Sequence, residues 1–401
     1  MTTSLRESPG GTADSAAPAP GAATALLDAY GATRDRFLAT PRHTLLAHGT
    51  AAELPHDGRP FTRGVAELLA SRAESGVGPA LVAGALPFDP EQPPAVAVPL
   101  SAEWGPALRS DPLVALPTAP VEPTEWRITP VPAPEVYEAA VAEAVARMRD
   151  GELDKVVLAR SLELSAERLP DTAQLVNGLA RRDPGGYTFA VPSGPGRTLV
   201  GASPELLVER FDGRLTANPL AGSTPRSGDL AEDVRRAAAL LESPKDLHEH
   251  AVVVDAVREA LAPFCSRLEV PAVPTLVRTA AMWHLSTTVT GELRQPAASA
   301  LELATALHPT PAVCGTPVES ARRTITASEP FERGAYTGMV GWQDAAGDGE
   351  WVVTIRCAEV GEKVLRLFAG AGVVADSSPA AELAETDAKF RTFLDAVGAA
   401  L

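Results

Sequence analysis

Apolar residues recur every third or fourth position through VYEAAVAEAVARMRDGEL, residues 136–153. That period predicts an amphipathic helix, and Gly151 marks its end. LDKVVLARSLEL follows as an almost continuous apolar run, which predicts a strand. TFAVPS and TLVG read as a strand pair separated by the turn-rich SGPGR, and ELLVERFDGRLTANPL as a hairpin around Asp212 and Gly213. Ser243 and Pro244 have the N-cap and first-turn chemistry of a helix start, so a helix is expected through HEHAVVVDAVREAL. TGMVGWQD, EWVVTIRCAEV and KVLRLFAGAGVV read as three strands with turns at AAGDG and GE, and AAELAETDAKFRTFLDAV as a last helix. Helices and antiparallel hairpins interleave with no regular βαβ alternation, so the expected class is α+β with large antiparallel sheets.

The same pattern weakens at the front of the chain. Residues 1–22 are small, polar and proline-rich, which predicts a disordered tail. Residues 23–110 mix helical and strand patterns with little obvious chemistry. Seven prolines between Pro112 and Pro134 predict an irregular connection between two halves, or a linker between domains. No repeat occurs at solenoid or propeller spacing. Residues 23–401 are read as a single domain, with its motif-rich part over 135–395.

Composition narrows the function. The chain has 401 residues, 35 basic against 51 acidic, and a net charge of −16. Such a surface repels a phosphate backbone, so no nucleic-acid partner is expected. No apolar run approaches the ~18–20 residues that cross a bilayer, and MTTSLRESPGG lacks the apolar centre of a signal peptide. No membrane association is expected, and a cytoplasmic location is. Cys265, Cys314 and Cys357 are far apart and form no CxxC pair, which argues against disulfides and a structural zinc site. Only Lys155, Lys245, Lys363 and Lys389 are lysines among 35 basic residues. Where arginine is the default cation, each lysine is a candidate for work that needs a removable proton.

Glu382, Glu385 and Lys389 are spaced i, i+3, i+7 along one face of the last helix. Two carboxylates one turn apart suit a hard cation such as Mg²⁺. The spacing is equally that of a solvated face with a Glu–Lys pair. His248, Glu249 and His250 open another helix but form no HExxH motif. Lys155 interrupts an apolar strand and shares a face with Val157 and Ala159. It is either a general base on a buried face or an edge-strand gatekeeper. Glu205 follows a tight turn in GASPE. Gly222–Ser223 and Gly370–Gly372 are glycine-rich turns whose backbone N–H groups can hold a carboxylate. Neither is a Walker A loop or a GxGxxG, and there is no GxSxG elbow and no glutaminase nucleophile motif.

DKVVLARSLEL, VGASPELLVER, ANPLAGSTPR, SPKDLHEH, WHLSTTVTGEL, LHPTPAVCGTP, EPFERGAYTGMVGW, EWVVTIRCAEV and FAGAGVVADSSPAAELAETDAKF together resemble the chorismate-utilising enzymes. That family includes isochorismate, anthranilate, aminodeoxychorismate and salicylate synthases. The motifs run in order over about residues 135–395, and residues 1–130 add little. Within the family the chain looks most like isochorismate synthase of the catechol-siderophore type, making 2,3-dihydroxybenzoate precursors. PLAGSTPR departs from the PIAGTRPR of the aminating enzymes.

The resemblance implies antiparallel sheets packed face to face with helices outside, as in anthranilate synthase component I. It implies Mg²⁺ held by Glu249, Glu382 and Glu385, Lys155 as the base that activates water, and Glu205 as the acid that protonates the leaving hydroxyl. Tyr336, Arg356, Gly370 and Lys389 would bind the enolpyruvyl carboxylate, with His284, Gly222 and Ser223 lining the ring pocket. The reaction implied is isomerisation of chorismate to isochorismate by water addition at C2 and loss of the C4 hydroxyl. Salicylate synthase, which also eliminates pyruvate, a menaquinone-pathway isochorismate synthase and an aminating enzyme are the alternatives. The chain calls for no glutaminase subunit, and a monomer is expected.

Overall fold

The computed structural model describes residues 19–31, 34–54, 59–117 and 125–400. Two large sheets, antiparallel at every pairing, dominate it. One places its strands in the order 315–316, 155–165, 364–373, 357–360, 197–203, 187–194, 36–39, 43–48 and 101–106, with 127–131 also paired to 155–165. The other runs 265–269, 289–293, 214–218, 206–211, 349–353, 339–344, 81–86, 95–98 and 52–53. A small third sheet joins 220–225, 282–286 and 275–278.

Strands such as Lys155–Ser165, His43–His48, Met339–Asp344 and Gly349–Val353 are rich in apolar residues because both of their faces are covered. Leu38, Leu45 and Leu199 of the first sheet meet Ala83, Val340 and Trp342 of the second between the layers. The outer face of the first sheet is covered by helices Ala22–Asp28, Thr172–Arg182 and Pro379–Ala396. Helices Phe61–Ser75, Pro244–Leu261 and Ala300–Leu307 cover the outer face of the second. Sheets inside and helices outside is the arrangement expected. Residues 23–110 complete both sheets, contributing 36–39, 43–48 and 101–106 to one and 52–53, 81–86 and 95–98 to the other.

Three expectations need correction or restriction. The tail predicted over 1–22 lies, for residues 1–18, outside the described residues. Residues 19–22 already enter a helix, whose start is fixed by the Asp111 carboxylate accepting from the N–H groups of Gly21, Ala23 and Thr24. The proline-rich stretch 112–134 is not one irregular connection: Arg127–Val131 is a strand of the first sheet and Pro134 opens helix Pro134–Arg149, while 118–124 lie outside the described residues. EWVVTIRCAEV is not one strand. It splits at residues 354–356 into Gly349–Val353 of the second sheet and Cys357–Val360 of the first.

That split belongs to a pattern. The chain also leaves the first sheet at Ser203 and joins the second at Leu206, leaves the second at Asn218 and joins the third at Leu220, and returns from Ser286 to Val289. These passages give the site its backbone.

Candidate active site

Glu205 and Arg356 sit on two neighbouring passages between the large sheets. The passages are tied by the Arg356 carbonyl accepting from Ala202 N–H at 3.0 Å and the Glu205 carbonyl accepting from Val353 N–H at 3.1 Å. Arg356 has φ +50, a left-handed conformation that a non-glycine residue adopts only when its surroundings require it. Both side chains are buried and line one cavity, with Gly222, Ser223, Glu249, His284, Tyr336, Gly370, Glu385 and Lys389. All ten are among the twelve residues picked out from the sequence, Glu249 coming from helix Pro244–Leu261.

The remaining two, Lys155 and Glu382, stand behind the cavity wall. Lys155 is 2% exposed on a strand paired on both sides, which removes the gatekeeper reading. Val157, two residues on and on the same face, lines the cavity directly. Lys155 donates to Glu249 at 2.8 Å. Lys245 donates to Glu382 at 3.2 Å, and Lys389 to Glu385 at 2.6 Å and to the Gly370 carbonyl at 2.7 Å. Three of the chain's four lysines thus pair with the three carboxylates expected to hold a metal, while Lys363 lies exposed on a turn. Lys245 went unassigned in the sequence, although its rarity as a lysine inside SPKDLHEH was the available signal.

Local chemistry explains how each element delivers its groups. Ser243 Oγ accepts from Asp246 N–H and Pro244 opens the helix, so its first turns are fixed and Glu249 turns inward. His248 and His250 diverge. His248 is exposed, whereas His250 bonds Thr287 Oγ1 at 2.7 Å and is pushed down to about 4 by burial. The Gly222–Ser223 segment is a strand rather than a turn. Its pairing to Met282–Ser286 is irregular, Gly222 has φ +76, and Ser223 lies opposite His284. Glycines 370 and 372 form a floor. A Cβ on Gly370 would lie 2.9 Å from the Tyr336 hydroxyl, and one on Gly372 would lie 2.5 Å from Glu249 Oε1 and 3.2 Å from Lys155 Cε. Gly370–Gly372, read from the sequence as a turn, lies within strand Val364–Val373, and Phe368, which stacks on Tyr336 with ring centres 4.9 Å apart, was not singled out from the sequence.

The electrostatics divide the groups by role. Burial pushes the Glu205 carboxyl up to about 7, against the opposing pull of the Leu220 N–H and of Lys155, Lys389 and Arg356. Burial also acts to raise Glu249, but Lys155 and the more distant Lys389 and Lys245 outweigh it and hold that carboxyl below its usual value. Glu382 is raised by burial and by the charge of Glu385. Arg356 is lowered by burial to about 10 and stays charged at neutral pH. His284 is driven well below its ordinary value by burial and by Arg356 and Lys389, and its buried Nε2 has no hydrogen-bond partner. The cavity therefore offers a fixed guanidinium, an ammonium, a neutral imidazole with a spare nitrogen and a carboxyl that keeps its proton near neutrality.

The family model described as chorismate binding enzyme matches residues 114–398, most of the chain and all of the cavity-lining segments. The chain belongs to the chorismate-binding enzymes. It is 52% identical over 379 residues to isochorismate synthase DhbC of Bacillus subtilis, covering 90% of this chain and 93% of that one. It is 44% identical over 318 residues to the vibriobactin-specific isochorismate synthase of Vibrio cholerae, covering 79% of each. Its structure matches that of DhbC from Bacillus anthracis with a TM-score of 0.87 and 48% identity, over 94% of this chain and 99% of that one. In this chorismate-binding enzyme the matched segments are the ones that carry Lys155, Glu205, Glu249, Arg356 and the last helix. No helix among the described residues is long and apolar enough to cross a membrane.

Proposed function

We propose that this protein is an isochorismate synthase, an isomerase that moves a hydroxyl of chorismate from C4 to C2, acting in 2,3-dihydroxybenzoate siderophore biosynthesis. The observation that carries the chemistry is the pairing, around one cavity, of a buried carboxyl held up to about 7 with a buried lysine. Water addition with loss of a hydroxyl needs one group that takes a proton and another that gives one. Glu205 enters the reaction protonated and delivers its proton to the departing C4 hydroxyl. Lys155 takes the proton of the water that attacks C2. It does so in its neutral form, and burial together with the Glu249 carboxylate at 2.8 Å holds its amino group in a single position behind the cavity wall. The vibriobactin-specific enzyme and DhbC among the relatives support the pathway.

Arg356 and Lys389 supply the two cations of the cavity, and chorismate carries two carboxylates. The planar fork of Arg356 suits bidentate contact with one carboxylate. Tyr336, held against Phe368 and over Gly370, offers a hydroxyl donor beside it. His284 Nε2, without a partner in the protein, is available to a substrate oxygen.

Glu249, Glu382 and Glu385 fit Mg²⁺ as oxygen donors. They lie close enough for Glu385 to raise Glu382, the mark of gathered negative charge. Among the described residues no three acidic, histidine or cysteine side chains converge into a finished metal cage. A cation here would keep waters and a substrate carboxylate as ligands, which is the habit of Mg²⁺. When bound it would hold the ring carboxylate and screen its charge. The three lysine–glutamate pairs are neutral in sum, and adding a divalent cation together with a dianion leaves the net charge of the site unchanged.

The test is incubation of the purified protein with chorismate and Mg²⁺ in the absence of ammonia, with products separated by chromatography and pyruvate assayed. Isochorismate without pyruvate is expected. Salicylate with pyruvate would move the protein to the lyase branch, and turnover only with ammonia would remove Lys155 from its role.

A further inference from the structure

A second cavity adjoins the first. It is lined by Arg182, Arg226, Arg356 and Arg391 against Asp183 and Asp395, and Pro204 and Arg356 line both cavities. This excess of positive charge stands out on a chain of net charge −16. Two of the arginines are committed elsewhere: Arg226 pairs with Asp233 at 2.9 Å, and Arg356 belongs to the inner cavity. The other two are exposed. Arg182 donates to the Asp395 carbonyl at 2.6 Å, and among the described residues neither Arg182 nor Arg391 forms an ion pair. The last helix links the two spaces. Glu385 and Lys389 line the inner cavity, and Arg391, Thr392 and Asp395 the outer one.

We propose that this outer cleft is an anion-binding vestibule, the route by which a dicarboxylate reaches the inner cavity. The inference rests on the reading of chorismate as substrate. An anion approaching the molecule is repelled at long range by the net charge. A cleft in which one sign of charge predominates, here four arginines against two aspartates, focuses the local potential between low-dielectric walls and opposes that repulsion close in. Arg182 and Arg391 are the two guanidinium groups free to meet a carboxylate at the mouth. Arg356, shared by both cavities, is where a carboxylate passes from one to the other.

Arg391→Glu and Arg182→Glu test this, with Arg63→Glu as the control. Arg63 lies on helix Phe61–Ser75, lines neither cavity, and alters the net charge by the same amount when reversed. Chorismate is the probe, followed by turnover and by calorimetric binding. At roughly 0.01 M ionic strength, where the Debye length is ~30 Å, each vestibule variant should lose about 3–10-fold in kcat/KM and in affinity, with kcat unchanged. The difference from wild type should close near roughly 1 M salt, where the Debye length is ~3 Å. Arg63→Glu should match wild type throughout. Unchanged affinity in both vestibule variants, a loss that persists at high salt, or an equal loss in Arg63→Glu would overturn the proposal. Wild-type binding without turnover would sink the catalytic reading while the binding data still judge the vestibule.

Discussion

Glu205 owes its proton to its surroundings. It is 3% exposed, and among the described residues the N–H that reaches its carboxyl, from Leu220, does so at 3.4 Å. Desolvation therefore prevails, and the acid form is populated up to about pH 7. Since the folded value lies above the ordinary 4.5, the native state binds the extra proton, and it is destabilised progressively as pH rises from about 4.5 through about 7. The fraction competent to donate falls over the upper part of that window, so the pH–rate profile should decline above about 7. In Glu205→Gln the rate should fall by roughly 10²–10⁴, the usual worth of a positioned acid. A variant with near-normal rate and an unaltered alkaline limb would show that the proton comes from elsewhere. Lys155→Ala should lose a similar factor while melting as a folded protein; normal isochorismate formation in that variant would refute its role as base. For Glu385→Gln the half-saturating Mg²⁺ concentration should rise at least several-fold, and an unchanged titration would remove that residue from the metal's ligands.

At the scale of the element, legibility depended on whether an element's pattern has an exposed face. The last helix showed its functional stripe plainly, because Glu382, Glu385 and Lys389 lie at helical spacing among polar neighbours. Ser243 announced the start of helix Pro244–Leu261 through its own side-chain bond to Asp246. The hairpin at Asp212 and Gly213 was readable because both residues take positive φ, a conformation that aspartate and glycine tolerate. The break in EWVVTIRCAEV was not readable. The two strands on either side of the break are buried on both faces, so the alternation that would mark a change of sheet is missing, and Thr354 and Arg356 at the break do not supply it. Gly370 and Gly372 belong to one strand and share one face, which makes the floor of the cavity a backbone surface. Gly372→Ala tests that floor. Its new methyl would meet Glu249 Oε1 at 2.5 Å, where overpacking typically costs about 1–3 kcal/mol. Activity should drop by at least about tenfold as the Lys155–Glu249 pair is displaced. Wild-type kinetics with an unchanged melting temperature would show that the floor has room.

At the scale of the whole molecule, the site draws on residues from position 155 to position 389, and no single sheet holds it. Lys155 and Gly370 come from the first large sheet, Ser223 and His284 from the small one, and Glu249 and Lys389 from helices on opposite outer layers. Glu205 and Arg356 stand where the chain passes between layers. Such an arrangement has a consequence for the order of events in folding. The pairings of 155–165 with 364–373 and of 36–39 with 187–194 join segments far apart in sequence, and contacts of that kind form slowly. Helices and local hairpins can regain their structure while the layers are still apart. The cavity cannot, because its acid and its guanidinium acquire their positions only when the two layers are joined. Refolding from denaturant should therefore restore far-ultraviolet circular dichroism well before chorismate binding returns. Simultaneous recovery of both signals would mean that the layers and their helices assemble in one step.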